Sequence, residues 1–217
     1  MSATAAASAE RMRFPEVRAP RPRLAAEAER QLTARQREIL DQLEQVLGRE
    51  GFGGLTMADL AAQTGCSLRT LYGIAPSKEE LVLIAVDRRL RRIGRTALEP
   101  LRASMPPLEA LRRYLRGAHE AVQPTTAAYA RELADVPGAG PLLDAHERYV
   151  TAVTRGLLDR AVEAGQIAPV DTAAVAHVLG GLGREFARPE LAGSDPDHPR
   201  ATADAMAEIV LRGLEVI

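Results

Sequence analysis

The chain has 217 residues, of which 46% are hydrophobic, so it is long enough to bury a sizeable core. Aromatic residues make up only 3% and Trp is absent, which favours helices because strand-rich folds usually need more aromatic and β-branched side chains. The formal net charge of −1 gives no sign of a generally basic protein, but a local basic surface would suffice for nucleic-acid binding.

The single cysteine, Cys66, allows no disulfide within the chain, which is typical of a protein from a reducing compartment. No charged start followed by an apolar run marks a signal peptide. No stretch of about 18 apolar residues marks a membrane span. We therefore expect a cytoplasmic protein without membrane contact.

Residues 1–32 are predicted to form a disordered arm. They show no apolar period, and Pro15, Pro20 and Pro22 interrupt any regular element. The arm contains six arginines and four glutamates, a net charge of +2. It either follows the phosphate backbone or minor groove of DNA, or is a solvated tail. The second interpretation is favoured because such tails are common.

From Thr33 onward the pattern is helical. A Ser or Thr followed three residues later by a residue able to bond back predicts a helix start at Thr33 with Gln36, Thr56 with Asp59, and Ser77 with Glu80. Gly51 and Pro100 end the first and third of these helices. Further amphipathic helices are predicted at about 108–122, 126–134, 141–164, 171–187 and 201–215, with a loop at 137–140.

The informative segment is 57–74, which reads MADLAAQTGCSLRTLYGI. A helix-turn-helix needs a small residue where its two helices nearly touch, and Ala61 provides it. Its turn needs a residue that tolerates positive φ, and Gly65 follows four residues later. Ser67 can cap the second helix, and apolar residues at matching offsets seal the pair to the preceding helix. The alternative, an ordinary helical hairpin in a bundle, lacks a reason for these offsets.

The segment 39–81 resembles the DNA-binding head of the TetR family of repressors. The positions that match the family pattern are Thr56, Ala61, Gly65, Ser67, Thr70, Leu71, Tyr72, Lys78, Glu79 and Leu81. This resemblance implies an all-α fold, with a three-helix DNA-binding head at 33–78. A helical-bundle domain for effector binding and dimerisation would follow at 79–217.

The segment departs from the family pattern after Tyr72, where Gly73, Ile74 and Ala75 replace the usual aromatic, His and Phe. In the family the second aromatic residue often supports a phosphate contact, which Gly73 removes. Gly73 also weakens the helix by about 1 kcal/mol relative to Ala. Ala75 leaves a smaller plug between this helix and the next. We interpret these changes as altered or weaker DNA contact.

The second helix of the motif, at about 67–73, is expected to read DNA. The Arg69 fork matches O6 and N7 of guanine, although a phosphate contact is nearly as well supported. Leu68 can touch a thymine methyl group. Lys78 is expected to hold a phosphate at a helix start, or else to be a solvated lysine. The full set of expected DNA contacts is Thr56, Ser67, Leu68, Arg69, Thr70, Tyr72 and Lys78.

For the second domain the resemblance implies a homodimer whose body binds a small molecule, and effector binding moves the two heads apart. Apolar faces on the last two helices predict a dimer interface, with intrachain core as the alternative. Its candidate residues are Val178, Gly181, Leu182, Phe186, Met206, Val210 and Leu214. Polar and aromatic residues on apolar stripes are candidates for the effector pocket. They are Tyr114, His119, Gln123, Tyr129, His146, Tyr149 and His177, each of which is otherwise an ordinary core or surface residue.

Catalytic patterns are missing from the sequence. It contains no phosphate-binding G-x-x-x-x-G-K-[ST], no G-x-S-x-G and no H-E-x-x-H, so neither an enzyme nor a cofactor or metal site is predicted. The sequence predicts a ligand-responsive regulator that binds a palindromic operator in double-stranded DNA. The resemblance implies that it is a repressor. The alternatives are a regulator with a degenerate head that acts through protein contacts, and a small helical ligand-binding protein or enzyme.

Overall fold

The computed structural model describes residues 10–121, 127–186 and 199–216, with the side chains of 48–50, 121, 127, 128, 130, 184 and 199 left undescribed. Its extended pairings in these ranges are isolated bridges, and its regular elements are helices, as the composition predicts. The α-helices are α1 (Ala26–Gln31), α2 (Ala34–Glu50), α3 (Met57–Gln63), α4 (Leu68–Tyr72), α5 (Lys78–Leu98), α6 (Pro107–Ala118), α7 (Ala127–Ala134), α8 (Ala139–Glu163), α9 (Thr172–Phe186) and α10 (Pro199–Leu214).

Local capping chemistry explains where the first helices begin. Thr33 and Thr56 each accept a hydrogen bond from the third helical N–H, and the side chain of that third residue bonds back, so both predicted capping boxes are confirmed. At Ser77 only half of the predicted box forms. Its hydroxyl accepts the N–H of Glu80 at 3.2 Å, but the Glu80 carboxylate binds Arg23 instead.

Residues 10–32 differ from the disordered arm that the sequence predicts. Their extended part is held by backbone hydrogen bonds, from Met12 N to Leu101 O at 3.1 Å and from Ala103 N to Glu10 O at 2.9 Å. The Arg160 guanidinium lies 4.7 Å from the centre of the Phe14 ring. The prolines exclude a regular helix, but they do not prevent apolar side chains from docking on a distant element.

The chain folds into two compact units. The head unit consists of Arg21–Arg91 and Pro124–Asp144, and the body unit consists of the remaining residues. The head unit thus combines α1–α4 with α7, which lies far away in the sequence. The predicted boundary at 78/79 remains a prediction for the two functional domains.

Each unit has its own aliphatic core. In the head unit the core joins α2, α3, α4 and the first part of α5, and Ile39, Leu43, Leu60 and Leu71 are all fully buried. In the body unit α6, α8, α9 and α10 supply the core, which also holds the whole Tyr114 side chain. Leucine and alanine dominate both cores, as the scarcity of aromatic residues requires.

No helix in the described part of the chain is long and apolar enough to cross a membrane.

Candidate nucleic-acid interface

The helix-turn-helix consists of α3 and α4. Gly65 takes the left-handed conformation with φ of 58°, as the turn demands. The N–H of Cys66 then donates to the carbonyl of Ala61 at 2.9 Å, so the chain reverses tightly beside the buried small residue. Arg35 of α2 donates to the Thr64 and Gly65 carbonyls at 3.0 and 3.1 Å. The turn is therefore stabilised by its own backbone and by a guanidinium from the preceding helix.

The recognition helix α4 is short and well capped. Ser67 accepts a hydrogen bond from the N–H of Thr70 at 3.1 Å, and Gly73 forms the C-cap. The inner side of the segment is sealed, since Leu71 is fully buried and Ala75 is 1% exposed. The helix has five residues and ends at Tyr72.

The outer side of α4 carries an apolar pair and a charge. Leu68 is 42% exposed and Tyr72 is 55% exposed, and they lie one turn apart. Arg69, between them in sequence, is also exposed. Large apolar side chains left in water on a short, well-packed helix favour a partner that covers this side.

Several of the predicted DNA-contact residues with hydroxyl groups already make hydrogen bonds within the protein. The hydroxyls of Ser67 and Thr70 lie 2.8 Å apart, within hydrogen-bonding distance. Thr56 donates to Asp59 at 2.7 Å, and this hydrogen bond is the main reason that the pKa of the Asp59 carboxyl is lowered. Thr56, Ser67 and Tyr72 are exposed, whereas Thr70 is half-buried.

Lys78 lies at the start of α5, and its ammonium is turned onto the protein backbone. Nζ donates to the carbonyls of Phe52, Gly53 and Leu55 at 3.3, 3.2 and 2.9 Å. The sequence offers no signal for these contacts, because the partners lie more than twenty residues away. The predicted phosphate contact of Lys78 remains untested, and it would compete with these three bonds.

Two side chains that support the head unit were not predicted from the sequence. Glu132 of α7 accepts the N–H of Phe52, and Arg35 holds the helix-turn-helix turn. Both contacts join residues that are far apart in the sequence, where periodicity carries no information. The predicted pocket residue Tyr129 also belongs to the head unit, where its ring packs edge-on against Phe52 with centroids 5.8 Å apart.

The other predicted pocket residues are only partly brought together. Tyr114, His119 and His146 are buried in the body unit, and Tyr149 is half-buried there. His177 is exposed on α9, and Gln123 lies outside the described residues. Burial raises the pKa of Tyr114 and lowers that of His119, whose Nδ1 donates to Asp204 at 2.7 Å.

The predicted dimer residues divide by exposure. Val178 and Met206 are exposed. Ile209, three residues after Met206 on α10, is 65% exposed. Leu182 is buried within the body unit, and the remaining members are half-buried: Gly181, Phe186, Val210 and Leu214.

No group of three or more His, Cys, Asp or Glu side chains that could hold a metal ion occurs in the part of the chain the structure describes. The helix pair α3–α4, with its glycine turn, buried inner side and exposed outer side, defines a helix-turn-helix protein of the DNA-binding class.

Comparison with known proteins agrees with this class and refines it. Residues 39–84 match the family described as "Bacterial regulatory proteins, tetR family". No curated protein sequence gives a significant match. Residues 39–84 of this chain are therefore similar to the tetR family of bacterial regulatory proteins.

Solved structures of similar fold span most of the chain. A TetR transcription regulator from Haloarcula marismortui has 16% identity and a TM-score of 0.71, covering 85% of this chain and 100% of its own. The TetR family regulator PfmR from Thermus thermophilus has 26% identity and a TM-score of 0.57, covering 82% and 99%. A TetR family regulator from Agrobacterium tumefaciens has 20% identity and a TM-score of 0.66, covering 84% and 98%. The chain therefore shares its fold with these proteins at low sequence identity.

Proposed function

We propose that this protein represses transcription by binding a palindromic operator as a homodimer in the cytoplasm, and that a small-molecule effector in the body unit releases it. The observation that carries the DNA-binding part is the outer side of α4, where Leu68, Arg69 and Tyr72 are exposed on a helix whose inner side is sealed. These three groups supply an apolar contact, a planar donor fork and a hydroxyl, which suit the major groove and its phosphate rim.

The base-reading role falls to Arg69 and Leu68. A guanidinium that donates to O6 and N7 of guanine discriminates that base by about 1–3 kcal/mol, and an aliphatic side chain next to it fits a thymine methyl group. Tyr72 remains the hydroxyl best placed for a phosphate, since those of Ser67 and Thr70 already contact each other.

This assignment is tested by measuring the affinity of purified protein for a bound duplex and for unrelated duplexes at two salt concentrations. Arg69→Ala and Leu68→Ala each remove a base-reading group. Each variant is expected to lose more affinity for the selected duplex than for the unrelated duplexes. Loss of a phosphate contact would instead lower the affinity for all duplexes equally and reduce the salt dependence of that affinity.

The homodimer is supported by an exposed apolar side on α9 and α10. Val178 on α9 and Met206 and Ile209 on α10 are 53%, 38% and 65% exposed, and the two helices pack against each other. Large apolar residues left exposed on two packed helices favour a partner that covers them. A second copy of the same side would cover it, as two-fold interfaces do. Sedimentation should therefore show a dimer for the native chain and a monomer for Ile209→Glu. Ser104→Glu, on an exposed loop of the body unit, is the matched control. A dimer in both variants would contradict this interface.

Effector binding is supported by polar atoms buried without partners in the body core. Among the described residues, the hydroxyls of Tyr114 and Thr154 and Nε2 of His119 are buried and make no hydrogen bond. A buried unpaired polar group costs about 1–3 kcal/mol, which a ligand that bonds to it would recover. The aliphatic surroundings suit a largely apolar molecule with a few hydrogen-bonding groups.

A library of such compounds can be screened for those that raise the melting temperature and release DNA. Tyr114→Phe and Thr154→Val should weaken the response to any compound found, while DNA affinity without compound is unchanged. Equal responses in the native chain and both variants would contradict the role of these hydroxyls.

The short α4 supports a second candidate, a regulator that acts through protein contacts. Its five residues end at Gly73, and exposed Leu68 and Tyr72 also suit a protein partner. A folded protein without any salt-sensitive DNA binding would favour this function.

A further inference from the structure

The turn at 51–55, which joins α2 to α3, is approached by a carboxylate from α7. The Phe52 N–H donates to Glu132 of that helix. Gly51 and Gly53 make room for this carboxylate, because a Cβ at either position would lie 2.7 or 2.8 Å from one of its oxygens. The two glycines thus allow the carboxylate of Glu132 to lie directly against the backbone of the turn.

The same turn is approached by the ammonium of Lys78. Three of its carbonyls, those of Phe52, Gly53 and Leu55, accept hydrogen bonds from Nζ. The carboxylate therefore satisfies an N–H of the turn, while the ammonium satisfies its carbonyls. A turn between two helices has few backbone partners of its own, so these charge-assisted bonds are its principal support.

The turn determines how the helix-turn-helix begins. Leu55, whose carbonyl Lys78 holds, immediately precedes Thr56, the N-cap of α3. Phe52 is buried against the ring of Tyr129, which lies one turn before Glu132 on α7. All of these contacts lie within the head unit.

We propose that Lys78 and Glu132 are a pair of positioning residues that hold the turn at 51–55 and thereby orient α3 and α4 for DNA. Lys78 then acts through the turn and makes no phosphate contact. The proposal rests on the proposed function in so far as DNA affinity is its functional readout.

The Glu132 half is tested with two adjacent alanine substitutions in the full-length protein. Gly53→Ala places a methyl group on the carboxylate, whereas Gly54→Ala meets nothing within 4 Å. Neither glycine has a positive φ, so backbone strain is equal in the two variants. Gly53→Ala is expected to speed hydrogen exchange of the Phe52 amide and to raise the DNA Kd about tenfold, as loss of a charge-assisted bond implies. Gly54→Ala should leave both values as in the native chain.

The Lys78 half is tested by the salt dependence of DNA binding. A lost phosphate contact reduces the slope of log K against log salt by about 0.9, whereas a lost positioning contact weakens binding equally at every salt concentration. Lys78→Met should therefore raise Kd without changing the slope and should also speed Phe52 amide exchange. Lys78→Arg, which keeps the charge and the donors, should restore both values in part.

Two results would overturn the proposal. One is equal Phe52 exchange and equal Kd in Gly53→Ala and Gly54→Ala. The other is a reduced slope in Lys78→Met with normal amide exchange, which would identify a phosphate contact. If Lys78→Met does not fold, the salt dependence of Lys78→Gln decides the Lys78 half, and the glycine pair still decides the Glu132 half. A native chain that binds no duplex would overturn the proposed function, and the amide exchange would then report separately on whether the pair holds the turn.

Discussion

Replacing Tyr114 by Phe should stabilise the protein, although core substitutions usually do the opposite. The Tyr114 side chain is fully buried, and its hydroxyl makes no hydrogen bond to any described residue. Burial without a partner costs about 1–3 kcal/mol, and removing one oxygen leaves only a small void. We expect the free energy of unfolding to rise by about 1 kcal/mol, which corresponds to an increase in Tm of about 2–4 °C for a chain of this length.

The matched control is the same substitution at Tyr129. Tyr129 is also buried, at 6% exposure, but its hydroxyl has a hydrogen-bond partner in Arg89. Tyr129→Phe should therefore lower the free energy of unfolding by about 1 kcal/mol. Denaturant unfolding followed by circular dichroism gives both values. The reasoning is refuted if Tyr114→Phe destabilises the protein as much as Tyr129→Phe does, because its hydroxyl would then have a partner.

Three further predictions concern the head and the body core. Arg69→Ala should weaken specific DNA binding by about 1–3 kcal/mol and relax the preference at one base pair; equal weakening on all duplexes would make Arg69 a phosphate contact. Gly65→Val should cost the head about 1–2 kcal/mol, because a β-branched residue is strained at φ of 58° although the nearest atom to its Cβ is 3.7 Å away; an unchanged melting curve and DNA affinity would contradict this. Burial lowers the pKa of His119, so its contribution to stability is complete above the ordinary pKa of about 6.5 and is lost as the pH falls. Unfolding at about pH 7.5 and about pH 5.5 should show a smaller decrease for His119→Gln than for the native chain, and equal decreases would exclude this role.

Local chemistry made much of the head predictable. The capping boxes at Thr33 and Thr56 and the positive φ of Gly65 depend on residues within four positions of each other, so the sequence pattern contained them. Helix ends were predicted to within a few residues for the same reason. One difference is at α8, which begins at Ala139 inside the predicted loop at 137–140, just after Gly138 reverses the chain with φ of 90°.

Contacts between distant residues were not predictable. Nothing in the pattern around Lys78 pairs it with the carbonyls of 52–55, and nothing around Glu132 pairs it with the Phe52 N–H. The docking of Met12 beside Leu101 likewise depends on the assembled fold, so the proline-rich stretch alone predicted disorder. In the body, Tyr114 and Leu182 are buried, but helical periodicity alone could not distinguish a pocket or an interface from ordinary core.

Sequence-specific DNA binding by α4 is tested most directly by selecting bound sequences from a random duplex pool with the purified full-length protein at two salt concentrations. We predict enrichment of a palindrome whose half-sites contain a guanine that Arg69→Ala no longer selects. We also predict weaker retention of all sequences at the higher salt concentration. A folded protein that enriches no sequence at either salt concentration would contradict the assignment as a DNA-reading regulator.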